Sequence, residues 1–163
     1  LPISVKLLIE KGVTIAAAES CTGGELQGRI TDIPGASASL KGGVVVYTNE
    51  AKHLLLGIPT ETLDKYGAVS REIAAELAER VRLKLGADLG VGVTGLAGPD
   101  GDGVHPVGTV FVSLSDGKRT WVREKHITDR DRKTVRLYAC QNVFDMVRRY
   151  LAGLPVEQKR SDI

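Results

Sequence analysis

Aromatic residues are scarce in this chain of 163 residues, which has one Trp, four Tyr and two Phe. So few rings leave little surface on which unpaired bases could stack. A dominant charge is missing too. Lys and Arg number 22 against 20 Asp and Glu, a net of +2, so charge makes no case for a dedicated nucleic-acid binder. Only two cysteines occur, Cys21 and Cys140. Two cannot form a disulfide-stapled scaffold, and so low a count suits a reducing compartment; a cytoplasmic protein is expected. No apolar run approaches the ~18 residues of a membrane span. The start, Leu1 to Lys6, has no signal-peptide layout and lacks Met, which fits a processed end or the tail of a longer protein.

Glycine, by contrast, is plentiful: 19 residues, about 12% of the chain against ~7% in ordinary proteins. Nothing in the sequence is low in complexity, so these glycines need local reasons.

The chain length suits one domain, 1–163, with a real core. Residues 4–11 carry Val5, Leu8 and Ile9 at helical spacing, closed by Gly12. An apolar run of strand length follows at 13–18 and stops at a glycine-containing turn, after which a helix through Leu26 and Ile30 is expected. β-branching predicts a buried strand over 43–47. Thr48-Asn49 then offers an N-cap for a helix over 50–56, and a short helix opens at Pro59-Thr60. Ser70 caps the clearest helix, 70–85, with Ile73, Leu77, Val81 and Leu85 every four residues. A strand at 87–94, a loop at 95–106 and a hairpin about Asp116-Gly117 follow. Thr128-Asp129-Arg130-Asp131 resembles a capping box that starts the last helix, running to Leu151. The tail after Gly153 is polar and is expected to be mobile. Alternating strands and helices closed by a hairpin predict an α/β protein: a three-layer α/β/α sandwich with a mostly parallel mixed sheet and an antiparallel edge hairpin.

Open α/β sheets bind ligands at the carboxyl ends of their strands, and three such points stand out. The first is Glu19-Ser20-Cys21-Thr22-Gly23-Gly24, where two nucleophile types sit side by side at a helix start. Free N–H groups there suit an anion or a developing oxyanion; an ordinary N-cap with turn glycines is the even alternative. The second is Tyr47 to Lys52. A nucleophilic Ser needs a base, and His53, His105 and His126 do not converge. A Lys serves if desolvation lowers its pKa, although spacing alone favours a solvated Lys52 and an amphipathic strand end at Tyr47. The third is the glycine-rich run from Gly90 to Gly103. Its formal G-x-G-x-x-G at 90, 92 and 95 is not a dinucleotide fingerprint, because two glycines fall inside the strand and no helix opens after the third. Asp100 and Asp102 fail the calcium-loop pattern and read as turn residues. Between 118 and 136 there are eight Lys/Arg and three Asp/Glu, a local +5. Arg130, placed on the first turn of the last helix, suits a phosphate, while most of the others read as a solvated basic face. Cys140 reads as core.

Ala18 to Gly24, Gly43 to Lys52, Gly67-Ala68-Val69-Ser70, Gly92 to Pro99 and Pro106-Val107-Gly108-Thr109-Val110 occur in an order and spacing that resemble the CinA carboxy-terminal domain family, the nicotinamide mononucleotide deamidases. The resemblance covers about residues 5 to 150. It implies hydrolysis of nicotinamide mononucleotide to nicotinic acid mononucleotide and ammonia, an α/β/α fold, and a homodimer or larger assembly. It implies Ser20 as nucleophile, Lys52 as general base and Tyr47 beside it, relaying or tuning. Ser37 and Thr94 match site hydroxyls, and Arg130 the arginine of a Gly-Asp-Arg stretch, with Thr128 departing from that Gly. Asp102 and His105 depart from the family's usual loop pattern. In the implied scheme N–H groups near Thr22, Gly23 and Gly24 hold the oxyanion, and Cys21, Gly95, Gly98 and Arg130 are counted among the substrate- or oxyanion-binding residues. No metal or other cofactor is required. The thiol of Cys21 is a second candidate nucleophile. A non-catalytic module tied to competence, DNA damage and nucleic acid is the alternative class, supported only by the basic stretch. The chain is also readable as half of a longer protein whose other domain acts on nucleotide pyrophosphates. Of the 19 glycines, 14 lie in 23–43 and 86–108. They are expected to shape backbone around a small phosphorylated substrate.

Overall fold

The computed structural model describes residues 2–157. In chain order its elements are α1 (Pro2–Lys11), β1 (Ile15–Glu19), α2 (Glu25–Thr31), a 3-10 turn (Ala36–Ala38), β2 (Leu40–Val45), α3 (Asn49–Leu56), α4 (Thr60–Tyr66), α5 (Arg71–Leu85), β3 (Leu89–Gly95), β4 (Thr109–Ser115), β5 (Thr120–His126) and α6 (Arg132–Leu151). The strands form one sheet in the order β2-β1-β3-β4-β5. β1 pairs in parallel with β2 and β3, and β4 runs antiparallel to both β3 and β5. The sheet is therefore mixed, with two parallel and two antiparallel pairings, as its alternating elements and terminal hairpin predict.

Strand periodicity divides the core between two faces. Ile15 and Ala17 join one cluster with α1, α2 and α6, whereas Ala16 and Ala18 join another with α3, α4 and α5. On β3, Val91 and Val93 face the first cluster. Gly90 and Gly92, on the other face, lie against the α5 backbone and Leu77. Helices thus cover both faces, giving three layers.

The expected helices form where their caps predict. Thr48 Oγ1 accepts from the N–H of Ala51 at the start of α3, and Ser70 Oγ from that of Ile73 at the start of α5. Gly86 closes α5 with φ 62°, a left-handed value that costs Gly nothing. Asp116 Oδ1 accepts from the N–H groups of Lys118 and Arg119, which forms the expected hairpin turn.

Four expectations are corrected. Residues 43–47 do not form a buried strand: β2 is an edge strand that ends at Val45, 43% exposed, and Tyr47 beyond it is 55% exposed. β-branching reports fit to a pleated surface, not burial on both faces. The last helix is capped by Asp131, which accepts from the N–H of Thr134, and not by Thr128. Asp129 takes φ 56°, and that left-handed kink keeps 128–130 out of the helix. Past Gly153, Val156 is buried and its carbonyl accepts from Arg123; residues 158–163 of the expected mobile tail lie outside the described residues. Several glycines serve packing and not a ligand. A Cβ on Gly90 would run into the carbonyl of Ala78, and one on Gly92 would lie 2.8 Å from Leu77 Cβ. The small stripe of Ala16, Ala18, Gly90 and Gly92 lets α5 lie close on the sheet.

Gly90→Ala is expected to cost about 3 kcal/mol by overpacking against α5. Gly28→Ala, in α2 with nothing within 4 Å of the new methyl, is expected to add about 0.5–1 kcal/mol. Urea unfolding of both variants measures the two signs.

Candidate active site

From β1 the chain crosses to β2 on one side, then passes through α3, α4 and α5 to β3 on the other. The strand order therefore reverses at β1, and a crevice opens at the carboxyl ends of β1, β2 and β3, where doubly wound sheets place ligands. A cleft of about 240 Å³ lies there. Ser20, Cys21, Tyr47, Lys52, Thr94 and Arg132 are among the residues lining it.

Ser20 follows the last residue of β1. Its N–H donates to Val93 O on β3, and its carbonyl accepts from the N–H of Gly23. The backbone of the turn is thus held on both sides of Ser20, and the side chain meets the cleft. Lys52 lies on the first turn of α3, and Leu56, four residues on, shares its buried helix face. The lysine is only 1% exposed, and its Nζ lies 3.3 Å from Ser20 Oγ. The solvated-helix alternative for Lys52 is overturned. Burial, with little neighbouring charge to oppose it, pulls the amine down to about 8 from its usual 10.5. Burial also pushes the Cys21 thiol up to about 12 despite nearby Arg136 and Arg132, so the thiolate is nearly absent at neutral pH.

Glu19, at the end of β1, is fully buried. Its Oε1 accepts from Thr22 Oγ1 at 2.6 Å and from the N–H groups of Gly24 and Leu26 at 3.2 and 2.9 Å. Its Oε2 accepts from the N–H and Nε2 of Gln27 at 3.0 and 2.9 Å. The N-cap Gly24 has no side chain to cap α2, and this carboxylate caps the helix instead. The expected anion site at the start of α2 is therefore already filled from within the chain. The N–H of Gly23 goes to Ser20 O and that of Gly24 to Glu19, so neither is free for a substrate oxygen. Among the hydrogen bonds of the described residues, the N–H groups of Cys21 and Thr22 have no acceptor.

The sequence-predicted residues divide. Ser20, Cys21, Tyr47, Lys52, Thr94, Gly95 and Gly98 line one cleft. Thr94 Oγ1 donates to Ala68 O at 2.7 Å. Ser37 does not join them: it lies in the 3-10 turn, exposed, beside a separate hollow with Ile33 and Pro34. Arg130 is exposed ahead of α6 and does not line the cleft. Arg132, two residues on, takes that place. It donates to Gly98 O and, at 2.8 Å, to Tyr47 Oη, and so bridges two sides of the cleft. Tyr47 Oη is thereby engaged at the rim with Arg132, and the described hydrogen bonds include none from it to Lys52. Arg136 donates to Cys21 O and Thr22 O, 3.1 and 2.8 Å away.

Glu19, Arg132 and Arg136 were missed in the sequence as site residues. A carboxylate ending an apolar strand was one available signal, and the basic stretch was the other. Much of that stretch stays in solvent: Lys118, Arg119, Arg130, Arg132 and Lys133 are exposed. Arg123 is buried against Asp145 at 3.0 Å, Arg119 stacks on Trp121, Arg132 lines the cleft, and Arg136 holds carbonyls of the Ser20 turn.

Comparison with known proteins agrees with this architecture. Residues 2–151 match the model of the CinA C-terminal domain. A CinA-like protein of Desulfovibrio desulfuricans is 46% identical over 163 residues, which is 98% of this chain and 38% of the relative. The chain spans 36–38% of the length of the first curated relatives it matches. The crystal structure of a CinA superfamily protein from Klebsiella pneumoniae superposes with a TM-score of 0.89 at 29% identity, covering 93% of this chain and 96% of that one. A competence/damage inducible protein from Agrobacterium tumefaciens gives 0.86 at 35% identity, covering 93% and 94%. With a family-model match over residues 2–151 and relatives and solved structures that cover more than nine-tenths of it, the chain belongs to the CinA C-terminal domain family.

Proposed function

We propose that this chain hydrolyses the carboxamide of nicotinamide mononucleotide, giving nicotinic acid mononucleotide and ammonia. The observation that carries the reading is the Lys52 amine 3.3 Å from Ser20 Oγ, buried and pulled down to about 8. That distance is slightly beyond the range of about 2.6–3.2 Å for a working base, and such bonds tighten when substrate binds.

Neutral Lys52 accepts the Ser20 hydroxyl proton as Oγ attacks the carboxamide carbon. The carbonyl oxygen becomes an oxyanion, for which the unpaired N–H groups of Cys21 and Thr22 are the nearest donors in sequence. As the tetrahedral intermediate collapses, the C–N bond breaks and the Lys52 ammonium returns its proton to the leaving nitrogen, releasing ammonia. Water then attacks the acyl ester, with Lys52 again taking a proton, and Ser20 is regenerated. Because Glu19 fills the start of α2, the 5′-phosphate goes to the rim, where Arg132 supplies the cation. The same reading carries a cytoplasmic setting, a homodimer or larger assembly, no cofactor, and, in the longer relatives, a second domain acting on nucleotide pyrophosphates.

The neutral fraction of Lys52 rises with pH. Ammonia release under saturating substrate is expected to climb about tenfold per pH unit below pH 7 and to level off above about 8. A flat profile from pH 6 to 9 would sink the base assignment. Stability moves the same way: between 8 and 10.5 the unfolded chain binds more protons than the folded one, so folding strengthens as pH rises through that window.

Ser20→Ala is expected to lower kcat by at least about 1,000-fold. Cys21→Ala, which keeps its backbone N–H, is expected to stay within about threefold of the parent because the thiol is not ionised. The reverse outcome, measured by ammonia release, would make Cys21 the nucleophile.

Arg132→Ala is expected to raise KM for nicotinamide mononucleotide by about 10- to 100-fold, the scale of one lost charge-assisted contact. Arg130→Ala serves as the comparison and is expected to change KM by less than about twofold. Steady-state kinetics on both variants decides which arginine meets the phosphate.

A further inference from the structure

We propose that Glu19 is a positioning residue for the reaction: its buried carboxylate fixes the turn that carries Ser20 and determines which N–H groups remain to meet the oxyanion. The proposal rests on the reading of Ser20 as nucleophile.

Five donors converge on this one carboxylate, and all five are neutral. Its described hydrogen bonds and salt bridges include no cation. Burying an anion is costly unless its oxygens are satisfied, and here backbone N–H groups at the start of α2, together with Thr22 and Gln27, satisfy them. Such an arrangement is more than a cap needs, since a Ser or Asp at the N-cap itself normally suffices. Placing the cap on the residue before the nucleophile has a different effect: β1, Ser20 and α2 become one rigid unit.

The peptide geometry of the turn shows what that unit holds. The carbonyl of Ser20 and the N–H of Cys21 belong to one peptide plane, and that carbonyl is pinned by the N–H of Gly23. The carbonyl of Cys21 and the N–H of Thr22 share the next plane, and that carbonyl is pinned by Arg136. Thr22 is also held through its hydroxyl, by Glu19 itself. Glu19 draws the N–H groups of Gly24, Leu26 and Gln27 to itself, that of Glu25 goes to Thr22 O, and Arg136 pulls on the carbonyl side. The two N–H groups left over, those of the two residues after Ser20, are therefore fixed in direction. Glu19 touches neither substrate nor Ser20 Oγ in this account and acts through the turn.

A carboxylate paired directly with Lys52 would hold its proton on and remove the base. Glu19 lies on the α2 side of the sheet, as Ile15 and Ala17 do, while Lys52 reaches the cleft from α3 on the other side, and the described salt bridges do not pair them.

Glu19→Gln tests the proposal. Oε1 faces three donors and Oε2 two, so either orientation of the new amide sets its NH2 against at least two of them. In the purified chain, kcat for nicotinamide mononucleotide is expected to fall about 100-fold, the cost of a misplaced reacting group, while KM stays within about threefold. The rate at which phenylmethanesulfonyl fluoride modifies Ser20, with loss of fluoride, is expected to fall with kcat. A variant with kcat within about threefold of the parent, or one that loses KM and not kcat, overturns the proposal. Where Glu19→Gln does not fold, as judged by circular dichroism, Thr22→Val and Gln27→Leu each remove one side-chain donor to the carboxylate. Each is expected to slow both readouts by about three- to tenfold at unchanged KM, and unchanged rates in both variants overturn the proposal. Should the parent release no ammonia from nicotinamide mononucleotide, the functional reading fails, and the Ser20 modification rate alone then decides the role of Glu19.

Discussion

A lysine amine held out of water without an acid partner is the constraint to which the rest of the cleft answers. Moving an ammonium from water into such surroundings costs several kcal/mol, and the group escapes by shedding its proton. For Lys52 the surroundings are Ser20, Cys21 and the buried face of α3. Three features keep the amine there. The Thr48 cap fixes where α3 begins, and hence which helix residue faces inward. Leu56 anchors the same face one turn later. Glu19, the buried carboxylate next to Ser20 in sequence, is turned to α2 on the other side of the sheet and held there by five neutral donors. Glu19 is thus satisfied by its own donors, while Lys52, 32 residues from Ser20 in sequence, meets Ser20 Oγ. That separation leaves a lowered proton affinity on a residue type that is ordinarily a cation at neutral pH, as the proposed base requires.

The division of labour extends to the arginines. Arg136 binds only carbonyls of the Ser20 turn, and Arg132 binds the Gly98 carbonyl and the Tyr47 hydroxyl. Neither has a carboxylate partner among the described salt bridges. One helix, α6, therefore delivers positive charge both to the Ser20 turn and to the cleft rim, from positions four residues apart on one face. The inner arginine is spent on backbone. The outer one bridges groups that an anion can displace, which suits a subsite that fills only when ligand arrives.

Much of this was legible in the sequence because it depends on local chemistry. The cap at Ser70, the hairpin at Asp116-Gly117 and the four-residue repeat of α5 are short-range signals, and each sits where the spacing places it. The convergence of Ser20, Tyr47, Lys52 and Thr94 could be anticipated as well, since residues at strand ends meet in any doubly wound sheet. What escaped notice depends on register across long separations. Arg130 and Arg132 lie two apart, and only the left-handed kink at Asp129 and the cap at Asp131 decide which one reaches Gly98. Ser37 follows from the path of a loop that local composition does not determine. β2 looked buried because Val-Val-Val fits any pleated surface, and whether a further strand covers it depends on topology.

The glycines carry the point furthest. An excess in two stretches invited one explanation, a backbone shaped around a ligand, yet the two stretches do different work. Gly23 and Gly24 take positive φ in the Ser20 turn, where a side chain would be strained. Gly90 and Gly92 have no such need: they are extended residues on the face of β3 under α5, where a methyl would meet helix backbone or Leu77 Cβ. That close approach has a functional consequence even though no ligand touches it. α5 lies low on β3, its cap Ser70 accepts from Ile73 N while donating to Gly67 O, and the adjoining Ala68 carbonyl takes the hydroxyl hydrogen of Thr94 in the cleft wall. A pair of packing glycines deep in the sheet thus helps set the height of one wall of the site. Composition shows that glycine is abundant; only the packing shows that part of its effect on the cleft is exerted from behind.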